Sequence, residues 1–246
     1  MPGPVALVGA GEFLPQMAAL DRELLAAIDR ARPRVAILPT ASAPDGETVF
    51  RRWADMGTEH FAALGAEVEQ VLIRSIEEAG DPAALQAIGE ADLVYLSGGH
   101  PAFLRGVLAA SPLGAALRSA NARGGIIAGC SAGAMVLAAH QPEFRRGRFR
   151  WPLPWPLRWG EGLGLVDGVA VVPHYDAWPE PVTALMALQA PRHTVVLGID
   201  EDTAVVGSGG AWQVHGRARV TVWRGRHRER FRAGEVFRIQ GSDPRR

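Results

Sequence analysis

Short runs of aliphatic and β-branched residues alternate along this chain with stretches whose apolar positions recur at helical spacing. The apolar runs at residues 5–8, 35–38, 68–72, 93–96 and 126–128 predict strands; the stretches near 15–31, 48–64, 82–88 and 102–120 predict helices. A strand that is apolar at nearly every position has no solvent face, so both faces of its sheet must be covered. The pattern therefore predicts an α/β fold of three layers, αβα, around a mostly parallel central sheet.

Past the helix that follows residue 131 the pattern changes. Residues 141–160 are rich in Arg, Pro and Trp and hold no clean period, which predicts a long excursion from the sheet. Strands resume at 169–172 and 194–199, with a helix near 180–188 between them. Beyond residue 203, short β-type runs at 212–215, 220–223 and 235–239 are broken by glycine and predict antiparallel hairpins. A chain of 246 residues with 48% hydrophobic composition buries a large core, and one domain over 1–246 with an excursion at about 141–160 is expected.

Polar, glycine-rich clusters fall just after the predicted strands. They are Gly9-Ala10-Gly11-Glu12, Pro39-Thr40-Ala41-Ser42, Ser97-Gly98-Gly99-His100, Gly129-Cys130-Ser131, Pro173-His174-Tyr175-Asp176 and Asp200-Glu201-Asp202. In a parallel sheet the carboxyl ends of the strands share one edge, where α/β folds build their sites. All six loops are expected to converge on one cleft.

Gly129-Cys130-Ser131-Ala132-Gly133 carries the most specific signal among them. It is a Gly-x-Ser-x-Gly turn between an apolar strand and an Ala/Met/Leu helix, the setting in which a sharp strand-to-helix turn presents a serine for nucleophilic attack. The Ala132 N–H, at the start of that helix, is free to face a developing oxyanion. A serine nucleophile needs a base, and of the seven histidines His174 ends a strand on the same edge. Gly99 is the second oxyanion donor expected, because glycine lets the backbone approach a substrate oxygen closely.

Composition narrows the partners. With 26 basic and 26 acidic residues the chain has no electrostatic footprint for nucleic acid or an anionic membrane surface. No apolar run reaches membrane-spanning length and Met1-Pro2-Gly3-Pro4 leads directly into a strand, so a cytoplasmic location is expected. The single cysteine, Cys130, allows no internal disulfide and no multi-cysteine zinc site, and at the x position of the elbow it is expected to pack into the core. Gly9-Ala10-Gly11-Glu12 lacks the third glycine of a dinucleotide loop. Asp200, Glu201 and Asp202 lack a paired histidine spacing and read as a structural or cleft-edge group. No cofactor and no metal are expected.

Five segments now stand in a telling order: Leu96-Ser97-Gly98-Gly99-His100, Gly129-Cys130-Ser131-Ala132-Gly133-Ala134, Gly162-Leu163-Gly164-Leu165, Pro173-His174-Tyr175 and Gly198-Ile199-Asp200-Glu201-Asp202-Thr203-Ala204. Over almost its whole length the chain resembles the serine peptidase family of dipeptidase E and cyanophycinase. That resemblance implies the flavodoxin-like fold of class I glutamine amidotransferases, with serine replacing the cysteine nucleophile. It also implies a hydrolase with Ser131 as nucleophile, His174 as base, Gly99 and Ala132 as oxyanion donors, and a small peptide or related amide as substrate.

Two departures accompany it. Family members carry an acidic residue some way after the serine, where Phe144-Arg145-Arg146-Gly147-Arg148-Phe149-Arg150 stands here. Glu161 is chosen to orient His174, with Glu143 and Asp176 as alternatives; His100 and Asp176 are the expected substrate contacts. Cyanophycinase-like members also carry arginines soon after the histidine, and Ala177-Trp178-Pro179-Glu180-Pro181 has none, so a preference for aspartyl peptides does not carry over. Arg145, Arg146, Arg148 and Arg150 read as an anion site or a solvated surface. The Trp/Pro segment 151–159 reads as a lid, a partner surface or a packed loop. A catalytically silent binding or scaffold protein and an amidotransferase-like subunit are the rival functions, and a homodimer stays open.

Overall fold

The computed structural model describes residues 1–143, 157–208 and 210–239. Its strands form two hydrogen-bonded sheets. The first is built on β1 (Val5–Val8), β2 (Arg34–Leu38), β3 (Glu67–Gln70), β4 (Leu93–Leu96) and β5 (Ile126–Cys130). These five lie parallel in the order β1-β5-β4-β2-β3.

Strand β3, at the edge, reads Glu-Val-Glu-Gln and is half exposed, whereas the apolarity of β1, β2, β4 and β5 resolves into two faces of period 2. Leu7, Leu38, Leu96 and Ile127 enter one core, while Ala6, Ile37, Tyr95 and Ala128 enter the other. The second core is closed by α1 (Ala18–Ala26) and α2 (Glu47–Ala63) through Leu20, Leu24 and Phe61. The first is closed by α3 (Pro82–Glu90) and α5 (Pro112–Ala122) through Ile88, Leu113 and Leu117. Both of these helices start on a capped proline: Asp81 accepts from the Ala84 N–H and Ser111 from the Gly114 N–H. Between them runs α4 (Pro101–Leu108).

After β5 the short helix α6 (Ala132–Leu137) leads into the second sheet. This sheet holds β6 (Ala138–Glu143), β7 (Arg158–Glu161), β8 (Val166–Val172), β9 (Val195–Ile199), β12 (Arg219–Arg224) and β13 (His227–Arg232), in the order β13-β12-β9-β8-β6-β7. Strands β6, β8 and β9 are parallel. Val171, Leu197 and Val222 face the core of the first sheet, and Ala170, Val172 and Val196 are covered by α7 (Glu180–Leu188) through Val182 and Met186.

The parallel strands expected in one sheet are thus shared between two. The physical reason lies at β1, whose second edge is taken by the antiparallel β10 (Thr203–Ser208), so β8 and β9 do not pair there. Strands β11 (Ala211–Gly216) and β14 (Val236–Arg238) extend that side antiparallel, so the C-terminal hairpins finish the edges of both sheets. The α/β class and the antiparallel C-terminal strands agree with the sequence reading. The ends of the 141–160 excursion are the paired arms β6 and β7, with Pro142 opposite Trp159. Arg145, Arg146, Arg148, Arg150 and residues 151–156 lie outside the described residues. Among the described residues no helix is long and apolar enough to cross a membrane.

Candidate active site

Ser131 sits between β5 and α6 with φ 49° and ψ −107°, a conformation that L side chains adopt only where the surroundings enforce it. Two backbone bonds do so: the Ser131 N–H donates to the Val8 carbonyl at 2.9 Å, and the Met135 N–H donates to the Ser131 carbonyl at 3.0 Å. The helix then leaves so close to β4 that a Cβ on Gly133 would stand 2.5 Å from the Leu96 carbonyl oxygen. Only glycine fits there.

Pro173 and His174 follow β8, and the Asp200-Glu201-Asp202 loop follows its parallel neighbour β9. His174 turns out of the strand in a left-handed conformation, φ 49° and ψ 42°, which carries its ring across to the first sheet. Its Nε2 lies 3.1 Å from Ser131 Oγ and its Nδ1 lies 2.8 Å from Glu201 Oε1. A neutral imidazole that donates from Nδ1 to this carboxylate presents a lone pair at Nε2, so the Ser131 hydroxyl donates to it. Ring and carboxylate are 40% and 46% exposed, which leaves the site open to an incoming ligand.

The place expected for Glu161 beside His174 is taken by Glu201. Strand β7 is the far edge of the second sheet, separated from β8 by β6, and there Glu161 stands opposite His140. Glu143 stands opposite Arg158 in the same pair of arms. Glu201 instead leaves the strand next to that of His174. A signal for it was present in the sequence: Gly198-Ile199-Asp200-Glu201 ends a predicted strand adjacent in the parallel order. Asp176, the other alternative, reaches the backbone of Glu201, its Oδ1 accepting the Glu201 N–H at 3.0 Å.

The three acids of the β9 loop diverge. Glu201 meets His174, Asp202 accepts from Gln16 and Arg217, and Asp200 pairs with Arg219 at 3.5 Å. Burial, followed by the nearby Asp176 charge, pushes the Asp200 carboxyl above its ordinary range.

The loop after β4 supplies Gly99 with φ 143°; a Cβ there would lie 2.4 Å from the Ala41 carbonyl carbon and oxygen. Neither the Gly99 N–H nor the Ala132 N–H has an acceptor among the described residues, whereas the Gly98 N–H is held by Glu12 Oε1 at 2.8 Å. His100 turns its ring to Asp45, Nε2 to Oδ1 2.9 Å, in the turn that follows β2. Cys130 is fully buried in the core shared with Tyr95 and Ala128, as the elbow geometry predicted. Burial first, then the neighbouring Glu12 carboxylate, pushes its thiol well above the ordinary range.

Known proteins resemble this chain in sequence and fold. The profile of peptidase family S51 matches residues 5–215. Cyanophycinases from Trichormus variabilis and from a Nostoc species are each 29% identical over 224 residues, spanning 89% of this chain and 72% of theirs. A crystal structure of a peptidase from an acI-B1 actinobacterium superposes with a TM-score of 0.84 at 33% identity, covering 97% of this chain and 98% of the other. A Listeria monocytogenes protein assigned to peptidase E shares the fold, with a TM-score of 0.63 at 19% identity over 89% of this chain and all of its own. With its elbow serine, histidine and acid carried on that common framework, the chain belongs to peptidase family S51.

Proposed function

We propose that this chain is a serine peptidase that cleaves an amide bond in small peptides or related compounds, without a cofactor, through an acyl-enzyme on Ser131. The observation that carries this reading is the unbroken hydrogen-bonded chain from Ser131 Oγ through His174 to Glu201. As Oγ attacks the carbonyl carbon, His174 Nε2 takes the hydroxyl proton. Negative charge collects on the carbonyl oxygen and is held by the N–H groups of Gly99 and Ala132, each such donor contributing about 10²–10³ in rate. The imidazolium, stabilised by Glu201, gives its proton to the leaving amine as the C–N bond breaks. Water then attacks the acyl-enzyme, losing its proton to His174; the bond to Oγ breaks, Oγ takes that proton back, and the acid departs.

Arginines that would select a β-aspartyl carboxylate are missing from Ala177-Trp178-Pro179-Glu180-Pro181, soon after His174, so the substrate class is a small peptide with no acidic side-chain requirement built by that segment. A fluorophosphonate probe is expected to label the purified protein at Ser131 and to block hydrolysis of a dipeptide library. Absence of both labelling and hydrolysis overturns the reading in favour of a silent binding protein.

A further inference from the structure

Glu12 takes no part in the mechanism above, yet it is a buried carboxylate, 6% exposed, beside the nucleophile. It lies in the loop after β1, and its two oxygens are both used. Oε1 accepts the Gly98 N–H at 2.8 Å and Oε2 accepts the Cys130 thiol at 2.8 Å. Among the described residues no cation pairs with it, so these two donors are what compensates its burial. The first belongs to the loop that carries Gly99, the second to the strand end that carries Ser131 and Ala132.

We propose that Glu12 is a positioning residue of the oxyanion site: it ties the Gly99 loop to the nucleophile elbow from beneath and so fixes the spacing of the two N–H donors. This inference rests on the reading of Ser131 as the nucleophile. Three observations converge on it. The contact is tight, since a Cβ on Gly98 would stand 2.9 Å from Glu12 Oε1 and 3.4 Å from Ser131 Cβ; any shift of the carboxylate is felt at the serine. Glu12 occupies the Gly98 N–H, while the next N–H, that of Gly99, has no acceptor among the described residues and is left for a ligand.

The turn that aims Glu12 inward is strained at Phe13, while Gly11 gives the chain its positive φ without cost. Gly11 has φ 87°, and Phe13, a bulky residue for which a left-handed backbone is unfavourable, has φ 64°. The Phe13 ring is anchored 4.9 Å from that of Tyr95, which holds the turn shut. Strain of this kind persists where the surrounding structure over-determines it and clusters at functional sites. The same carboxylate accepts the thiol of Cys130, the residue next to the nucleophile.

Glu12→Gln tests the tie without changing its size, because one acceptor oxygen becomes an NH₂ group that faces a donor. In the full chain, the second-order rate of Ser131 labelling by a fluorophosphonate is expected to fall at least tenfold, while the labelling pH profile keeps its wild-type midpoint. The Gly98 amide proton, shifted downfield in the wild type by its carboxylate acceptor, is expected to move upfield in the variant. Should Glu12→Gln fail to fold, Glu12→Asp, with both acceptors on a shorter stem, is read in the same way. Wild-type labelling rates in a folded Glu12 variant overturn the positioning role and leave Ser131 as nucleophile; an unlabelled wild type overturns the nucleophile reading itself.

Discussion

Glu201 Oε1 lies 2.8 Å from Nδ1 of His174, although 27 positions separate the two residues and each follows a different strand. Parallel pairing of β8 and β9 brings the two loops together, and the left-handed turn at His174 completes the approach. Glu201→Gln is therefore expected to lower kcat by roughly 10²–10⁴ while the fold is retained, because the carboxamide no longer fixes the productive tautomer. Glu161→Gln, on the far strand β7, is expected to stay within about 0.5 kcal/mol of the wild-type barrier. Steady-state kinetics on both variants decide the matter, and equal losses would refute the assignment.

Asp176 acts one step further out, by accepting the Glu201 N–H. Losing that bond in Asp176→Ala is expected to loosen Glu201 and reduce kcat about fivefold, in line with roughly 1 kcal/mol for one hydrogen bond, with KM little changed. Asp176→Asn keeps an Oδ1 acceptor and is expected to recover most of the loss. A rise in KM alone would instead make Asp176 a substrate contact.

Gly99→Ala combines a backbone penalty with a collision. The left-handed φ of 143° and the 2.4 Å approach to the Ala41 carbonyl leave no room for a methyl group. The expected outcome is a destabilisation of roughly 1–3 kcal/mol in urea titration. A further fall of about 10² in kcat follows if its N–H is displaced from the oxyanion. Unchanged unfolding would show that the loop has room to spare.

Asp200 is expected to make stability depend on pH. Because burial and the Asp176 charge raise its carboxyl in the folded chain, the native state binds the proton more tightly than the unfolded state does. The associated stability is complete in acid, below the ordinary carboxylate range, and is lost as pH rises through the raised value. Asp200→Asn has no such dependence. Thermal melts are expected to show the difference in Tm, variant minus wild type, growing more positive between strong acid and neutrality; a difference that shrinks with pH would contradict the raised carboxyl.

Much of this was written in local sequence. The all-apolar runs announced a sheet covered on both faces, the elbow announced Ser131, and the end of the Val169–Val172 run announced His174 at a loop. What local pattern did not carry was adjacency. Distance along the chain from the serine points to Glu161, whereas strand order puts β9 and not β7 beside β8. The same limit hid the second sheet, since β10 reads like any hairpin strand until it is seen to occupy the free edge of β1. Glu12 escaped for a related reason: a lone acid in a glycine-rich loop gives no sign that two donors wait for it.

Ser131 belongs to the end of one sheet, while His174 and Glu201 belong to the end of the other, and Val136, Val171 and Leu197 meet in the core between them. Turnover then serves as a ruler laid across that junction. Slippage of a fraction of an ångström between the two layers lengthens the proton path before any helix melts. In gentle denaturant, catalysis should fade ahead of the helical signal.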